Sequence, residues 1–120
     1  MLLQWAIDRY RQEKQAPLRL LHLSLLLESK GYPEYLEALE LLSRGPLPRP
    51  IEAVLCGPLS FSAYCQRFTT EEAKASWIDA RIAAINRSEQ VRVEWIPGAR
   101  GTQKQELFDN AHLFVFPSSF

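Results

Sequence analysis

With 120 residues, 47% of them apolar, the chain has material for one compact domain and no more. Fourteen Lys and Arg balance fourteen Asp and Glu, so no net field draws in nucleic acid or an anionic surface, and nucleic acid is excluded as the main partner. The opening segment 1–7 has neither the basic start nor the apolar length of a signal peptide, and no stretch approaches the roughly 20 apolar residues of a spanning helix, so the cytoplasm is the expected compartment.

In chain order, residues 1–17 read as an N-terminal linker or helix. The apolar run bounded by Pro17 and the polar stretch Glu28 to Gly31 predicts a buried strand near 19–25. Beyond Gly31, Tyr35, Leu36, Leu39 and Leu42 recur at helical spacing among Glu34, Glu37, Glu40 and Arg44, an amphipathic helix closed by Gly45 and Pro46. Pro46, Pro48 and Pro50 stiffen the connection to a second buried strand, 51–56, which ends at Gly57 and Pro58. The stretch 57–69, with Phe61, Tyr64 and Phe68, reads as irregular.

Thr69 and Thr70, followed by Glu71 and Glu72, supply the hydroxyl cap and the acidic first turn of a helix that runs to about Asn86, with Trp77, Ile78, Ile82 and Ile85 as its apolar stripe. Glu71 and Glu72 are thus helix-terminal charges rather than catalytic carboxylates. A clean alternation predicts a strand at 91–95, broken by Pro97 and Gly98. A short helix follows from Gln103 to Asn110, and a last strand from His112 to Phe116.

Strand–helix alternation of this kind implies an α/β fold, a parallel sheet with helices on both faces, because crossovers between parallel neighbours are right-handed. Such sheets bind ligands beyond the carboxyl ends of their strands, which here are the loops 24–31, 57–62, 95–103 and 117–120. Neither GxGxxG after the first strand nor GxxxxGK[ST] is present, so the dinucleotide and triphosphate fingerprints are missing. Cys56 and Cys65 lie nine residues apart with no CxxC and no His pair at ligand spacing, so no metal, disulfide or cofactor is expected. His22, inside an apolar strand, reads as a packed core histidine, His112 has no evident partner, and Trp77 and Trp95 read as core anchors.

Three segments in order carry a family resemblance: 20–39 (LLHLSLLLESKGYPEYLEAL), 51–58 (IEAVLCGP), and 91–98 (VRVEWIPG) with 104–108 (KQELF) and 111–118 (AHLFVFPS). Together they resemble the C-terminal, donor-binding domain of family-4 retaining glycosyltransferases, whose last such strand reads ADLFVFPS. The resemblance spans about residues 18–118 and implies a Rossmann-like domain, the incomplete C-terminal half of a GT-B-type enzyme. The family transfers a sugar from a nucleotide-diphosphate sugar to an acceptor with retention, and peripheral membrane association of the parent enzyme belongs to the same expectation.

The resemblance also assigns residues. Lys30 matches the Lys that holds the donor diphosphate, and a cation at a strand end beside a helix N-terminus suits that group; taken alone, an exposed Lys is ordinary. Ser24, Gly57, Pro97, Gly98, Pro117 and Ser118 fall in the donor-binding loops, although Gly57, Pro97, Gly98 and Pro117 also serve as simple turn residues. The family's upstream Arg is replaced by Leu25, which cannot pair with phosphate, so donor binding is expected to be weak or absent. The family's E-x7-E element and its N-terminal acceptor domain fall outside the matched residues. No catalytic residue is therefore assigned, and a chain of these residues alone is expected to be inactive and to need the missing domain or a protein partner. Two other readings stay open: a non-catalytic Rossmann-like interaction module or remnant, and an unrelated flavodoxin-like domain.

Overall fold

The computed structural model describes residues 3–6, 16–64 and 67–116. Most of the 1–17 linker, together with Cys65, Pro117 and Ser118, lies outside the described residues.

The run after Pro17 forms strand β1, Leu18–Leu23, followed by a short 3-10 turn over Glu28–Lys30. Gly31, with φ of 92°, then turns the chain into helix α1, Tyr32–Ser43. The left-handed conformation there is open to glycine at little cost, and Pro33 in the first turn needs no amide partner. Strand β2, Ile51–Cys56, leads through an irregular segment to helix α2, Glu71–Asn86, whose start is fixed by the Thr70 hydroxyl accepting from the Ala73 amide at 3.1 Å. Strand β3, Val91–Ile96, helix α3, Thr102–Asn110, and the two-residue strand β4, Leu113–Phe114, complete the order. The first strand ends at Leu23 rather than at the expected 25, although the Ser24 amide still donates to the Cys56 carbonyl at 3.1 Å. The last is shorter than 112–116, although Val115 still donates to the Leu21 carbonyl at 2.9 Å.

All four strands are parallel, in the order β3-β2-β1-β4. Two outward steps, β1 to β2 to β3, followed by a return across the sheet to β4, fix the helix positions. Right-handed crossovers put α1 and α2 on one face and the reversed crossover α3 on the other. The result is a Rossmann-like α/β sheet flanked by helices, as the alternation of elements predicted.

The register sorts the side chains into two faces. Toward α1 and α2 point the rows Leu18–Ile51–Val91, Leu20–Ala53–Val93 and His22–Leu55–Trp95. With Tyr35, Leu36, Leu39, Ile78 and Ile85 they form the core, and Trp77 and Trp95 pack at its rim. Toward α3 point the rows Arg19–Glu52–Arg92, Leu21–Val54–Glu94 and Leu23–Cys56–Ile96. The outer edge of β3 is closed by a side chain: the Asn86 amide donates to the Val93 carbonyl at 3.0 Å and accepts from its amide at 2.8 Å, blocking strand addition there.

Candidate functional site

The β1–β2 ladder continues past both strands, through Ser24 N–H to the Cys56 carbonyl at 3.1 Å and Leu26 N–H to the Pro58 carbonyl at 2.9 Å. This brings the loops after β1 and β2 side by side. The loop after β3 is tied to them by the Gly57 amide donating to the Ile96 carbonyl at 2.9 Å and the Trp95 indole donating to the Gly57 carbonyl at 3.0 Å. Between the three loops, beyond the carboxyl ends of the strands, lies an open cleft of about 410 Å³. Ser24, Leu25, Cys56, Gly57, Pro58 and the run Pro97, Gly98, Ala99 and Arg100 line it. Four of the residues singled out in the sequence, Ser24, Gly57, Pro97 and Gly98, therefore meet in one place.

Lys30 does not line this cleft; it is exposed at the end of the 3-10 turn before α1. Leu25, where the family resemblance puts an Arg, is half exposed at the cleft wall and brings no charge. Gly57 has a steric reason to be glycine. Its φ is 152°, and a Cβ there would overlap the carbonyl oxygen of Ser24, so the close passage of the β1 and β2 loops already requires it.

Directly beneath Ser24 sits His22, fully buried and stacked on Tyr35 at 5.2 Å between ring centroids. Its Nδ1 lies 2.8 Å from the Val115 carbonyl and its Nε2 lies 2.9 Å from the Ser24 hydroxyl. A carbonyl can only accept, so Nδ1 carries the proton. Burial pushes the imidazole below its ordinary pKa, against a smaller opposing pull from the Val115 carbonyl, and the neutral ring's Nε2 faces the Ser24 hydroxyl, whose one proton also serves the Leu25 carbonyl at 3.0 Å. The packed histidine expected from the sequence is thus also a tie between the loop after β1 and the segment after β4. His112, in contrast, was expected to lack a partner; its Nδ1 accepts the Arg19 amide at 2.9 Å and so extends the β1–β4 ladder.

Lys74 gave no sign of itself in the sequence, where it sits in a polar first turn of α2. It is completely buried, paired with Glu28 at 3.1 Å, and donates to the Ser60 carbonyl at 2.6 Å. Its ammonium also lies 4.7 Å from the Phe61 ring centroid and 5.2 Å from that of Tyr32, whose hydroxyl donates to Glu28 at 2.9 Å. Burial and the Glu28 carboxylate together push the Tyr32 phenol far above its ordinary pKa. The group fastens the irregular segment after β2 to the turn after β1, and so holds the cleft's supporting loops in place.

Among the described residues no Asp or Glu lines the cleft, and no group of three or more metal-ligating side chains occurs. The described lining offers the Ser24 hydroxyl, the Cys56 thiol, the Arg100 guanidinium and backbone polar groups, set among the apolar Leu23, Leu25 and Pro58. No helix of the described residues is long and apolar enough to cross a membrane. In comparisons with known proteins, no family model and no curated protein matches the chain.

Proposed function

We propose that this chain is a sugar-nucleotide-binding unit of the GT-B type, part of a retaining glycosyltransferase, in which the described residues bind the donor and carry out no bond-breaking step themselves. The observation that supports this reading most is the cleft itself: Ser24, Gly57, Pro97 and Gly98, which the sequence motifs single out from three separate segments, share one opening at the carboxyl ends of the strands. The cleft's volume, about 410 Å³, lies within the range of small-ligand sites. Chemistry is assigned elsewhere in the parent enzyme because, among the described residues, no carboxylate lines the cleft.

Titration of the chain with UDP-, GDP- and ADP-linked sugars, followed by amide shifts of Gly57, Gly98 and Ala99, tests the reading. Shifts confined to those loops support it; silence toward the whole panel sinks it. A second reading, a non-catalytic module that binds another protein, draws on the uncharged Leu25 and on Leu113, Phe114 and Phe116, all about half exposed along the β4 edge. Loss of self-association or partner binding on Phe114→Ser, with no response to any sugar nucleotide, is the result that favours it.

A further inference from the structure

Resting on the donor-binding reading above, a charge question remains in the cleft. A diphosphate brings at least two negative charges, yet the loop after β1 presents Leu25, and Lys30 stands outside the lining. One cation does line it: Arg100, from the loop between β3 and α3. Its side chain is exposed and makes no hydrogen bond or ion pair with any described residue, so its five donors are free for a ligand. Among the described residues no carboxylate competes for them at the cleft wall.

A second cation reinforces the field on the same side. Lys104, in the first turn of α3, acts on the Cys56 thiol in the cleft, opposing the upward push of burial on its pKa. The residue that starts α3, Gly101, provides no side-chain cap, and the first amide to find a helical acceptor is that of Gln105, on the Gly101 carbonyl at 3.1 Å. The chain as a whole is neutral, yet among the described residues the one charged side chain lining the cleft is a cation.

We infer that Arg100 is the phosphate-holding residue of this cleft, supplying from the loop after β3 the charge that the loop after β1 lacks. The planar guanidinium presents its donors in a fixed fork that matches two oxygens of a diphosphate, a geometry that a Lys ammonium does not pre-set. The ligand class is a nucleoside diphosphate or its sugar ester, read at its phosphates by Arg100.

The test is calorimetric titration of the full chain and its Arg100→Gln, Arg100→Lys and Lys30→Gln variants with UDP, GDP and inorganic pyrophosphate, and with uridine and guanosine as phosphate-free probes. Arg100→Gln is expected to weaken the diphosphates and pyrophosphate about 10-fold or more and to leave any nucleoside binding unchanged. Arg100→Lys should fall between, and Lys30→Gln should cost less than about 3-fold, as an exposed charge does. Wild-type affinity in Arg100→Gln together with loss in Lys30→Gln overturns the assignment while leaving the donor-binding reading intact. Equal losses for nucleoside and nucleoside diphosphate also overturn it, because Arg100 would then read the base. Absence of any diphosphate binding by the unaltered chain removes both readings together. Because Arg100 is exposed, an unchanged circular dichroism spectrum is expected for its variants.

Discussion

The two faces of the sheet are built on opposite plans. The face toward α1 and α2 buries three rows of side chains whose members are apolar save for His22, and every polar group there is answered: His22 on both nitrogens, Lys74 by Glu28 and Ser60, Tyr35 by the Val54 carbonyl at 3.1 Å. The face toward α3 begins with the charged row Arg19–Glu52–Arg92, keeps one charge, Glu94, beside Leu21 and Val54 in the next row, and is apolar in the last. A single nine-residue helix covers part of it, leaving an open groove over Glu52, Val54, Arg92 and Glu94. The packed face holds the cleft's loops from below, and the open face is exposed enough that charge there should matter little.

The largest expected break in that contrast is Lys74→Ala. It would strand the Glu28 carboxylate, whose side chain is only 15% exposed, beside Tyr32. Removing one partner of such a buried pair typically costs about 3–5 kcal/mol, read here as a shift in the urea midpoint, and the double variant Lys74→Met with Glu28→Gln should recover much of it. If the single variant unfolds like the parent, the latch beneath the cleft does not bear on stability. Next comes Gly57→Ala, which must displace the Ser24 carbonyl as well as adopt an unfavourable φ; strain of this kind costs about 1–3 kcal/mol. Because it pushes the loops after β1 and β2 apart, it should also abolish any ligand response at Gly98, a readout that a remote core lesion would spare.

The packed face should also be sensitive to pH through His22. The folded ring has a pKa lowered by burial, so below about 6.5, the ordinary value, the unfolded chain takes up a proton that the folded chain resists. Unfolding free energy is therefore full above that pH and falls as pH drops toward the folded value. Denaturant melts of the parent and of His22→Gln between neutral and acid pH should differ in slope in that window, and parallel curves would show that the buried ring tolerates charge.

Much of this arrangement was legible in the sequence. Hydrophobic periodicity and the punctuation by Gly and Pro located the first three strands and all three helices, since burial on a parallel sheet demands long apolar runs. Right-handed crossover logic then placed the ligand loops. What could not be read was long-range: Lys74 looks like any solvated residue of a helix's first turn until Glu28, 46 positions away, closes on it. The partner of His112 is the backbone of Arg19, 93 positions away, which no side-chain pattern announces. Gly57 was visible as a turn glycine, but its steric reason depends on the Ser24 carbonyl and appears only in three dimensions. Arg100 was passed over because it follows a Pro and Gly turn and belongs to no motif; its meaning comes from the cleft alone.

The smallest effect is expected on the open face, and its size is what sharpens the comparison. Glu52 sits between Arg19 and Arg92 in the cross-strand register and approaches Arg19 at 3.5 Å, with both side chains about half exposed. Solvent screening holds such a pair to under about 1 kcal/mol, so Glu52→Gln should move the urea midpoint barely at all. Glu52→Lys would instead line up three cations across β1, β2 and β3, and like charges directly opposite destabilise by about 0.2–1 kcal/mol per pair. Added salt should restore that loss, because the charges lie in water rather than under a helix. If instead Glu52→Gln cost as much as Gly57→Ala, and salt changed nothing, the row would have to be covered in solution, and the two faces would not differ in the way their side chains imply.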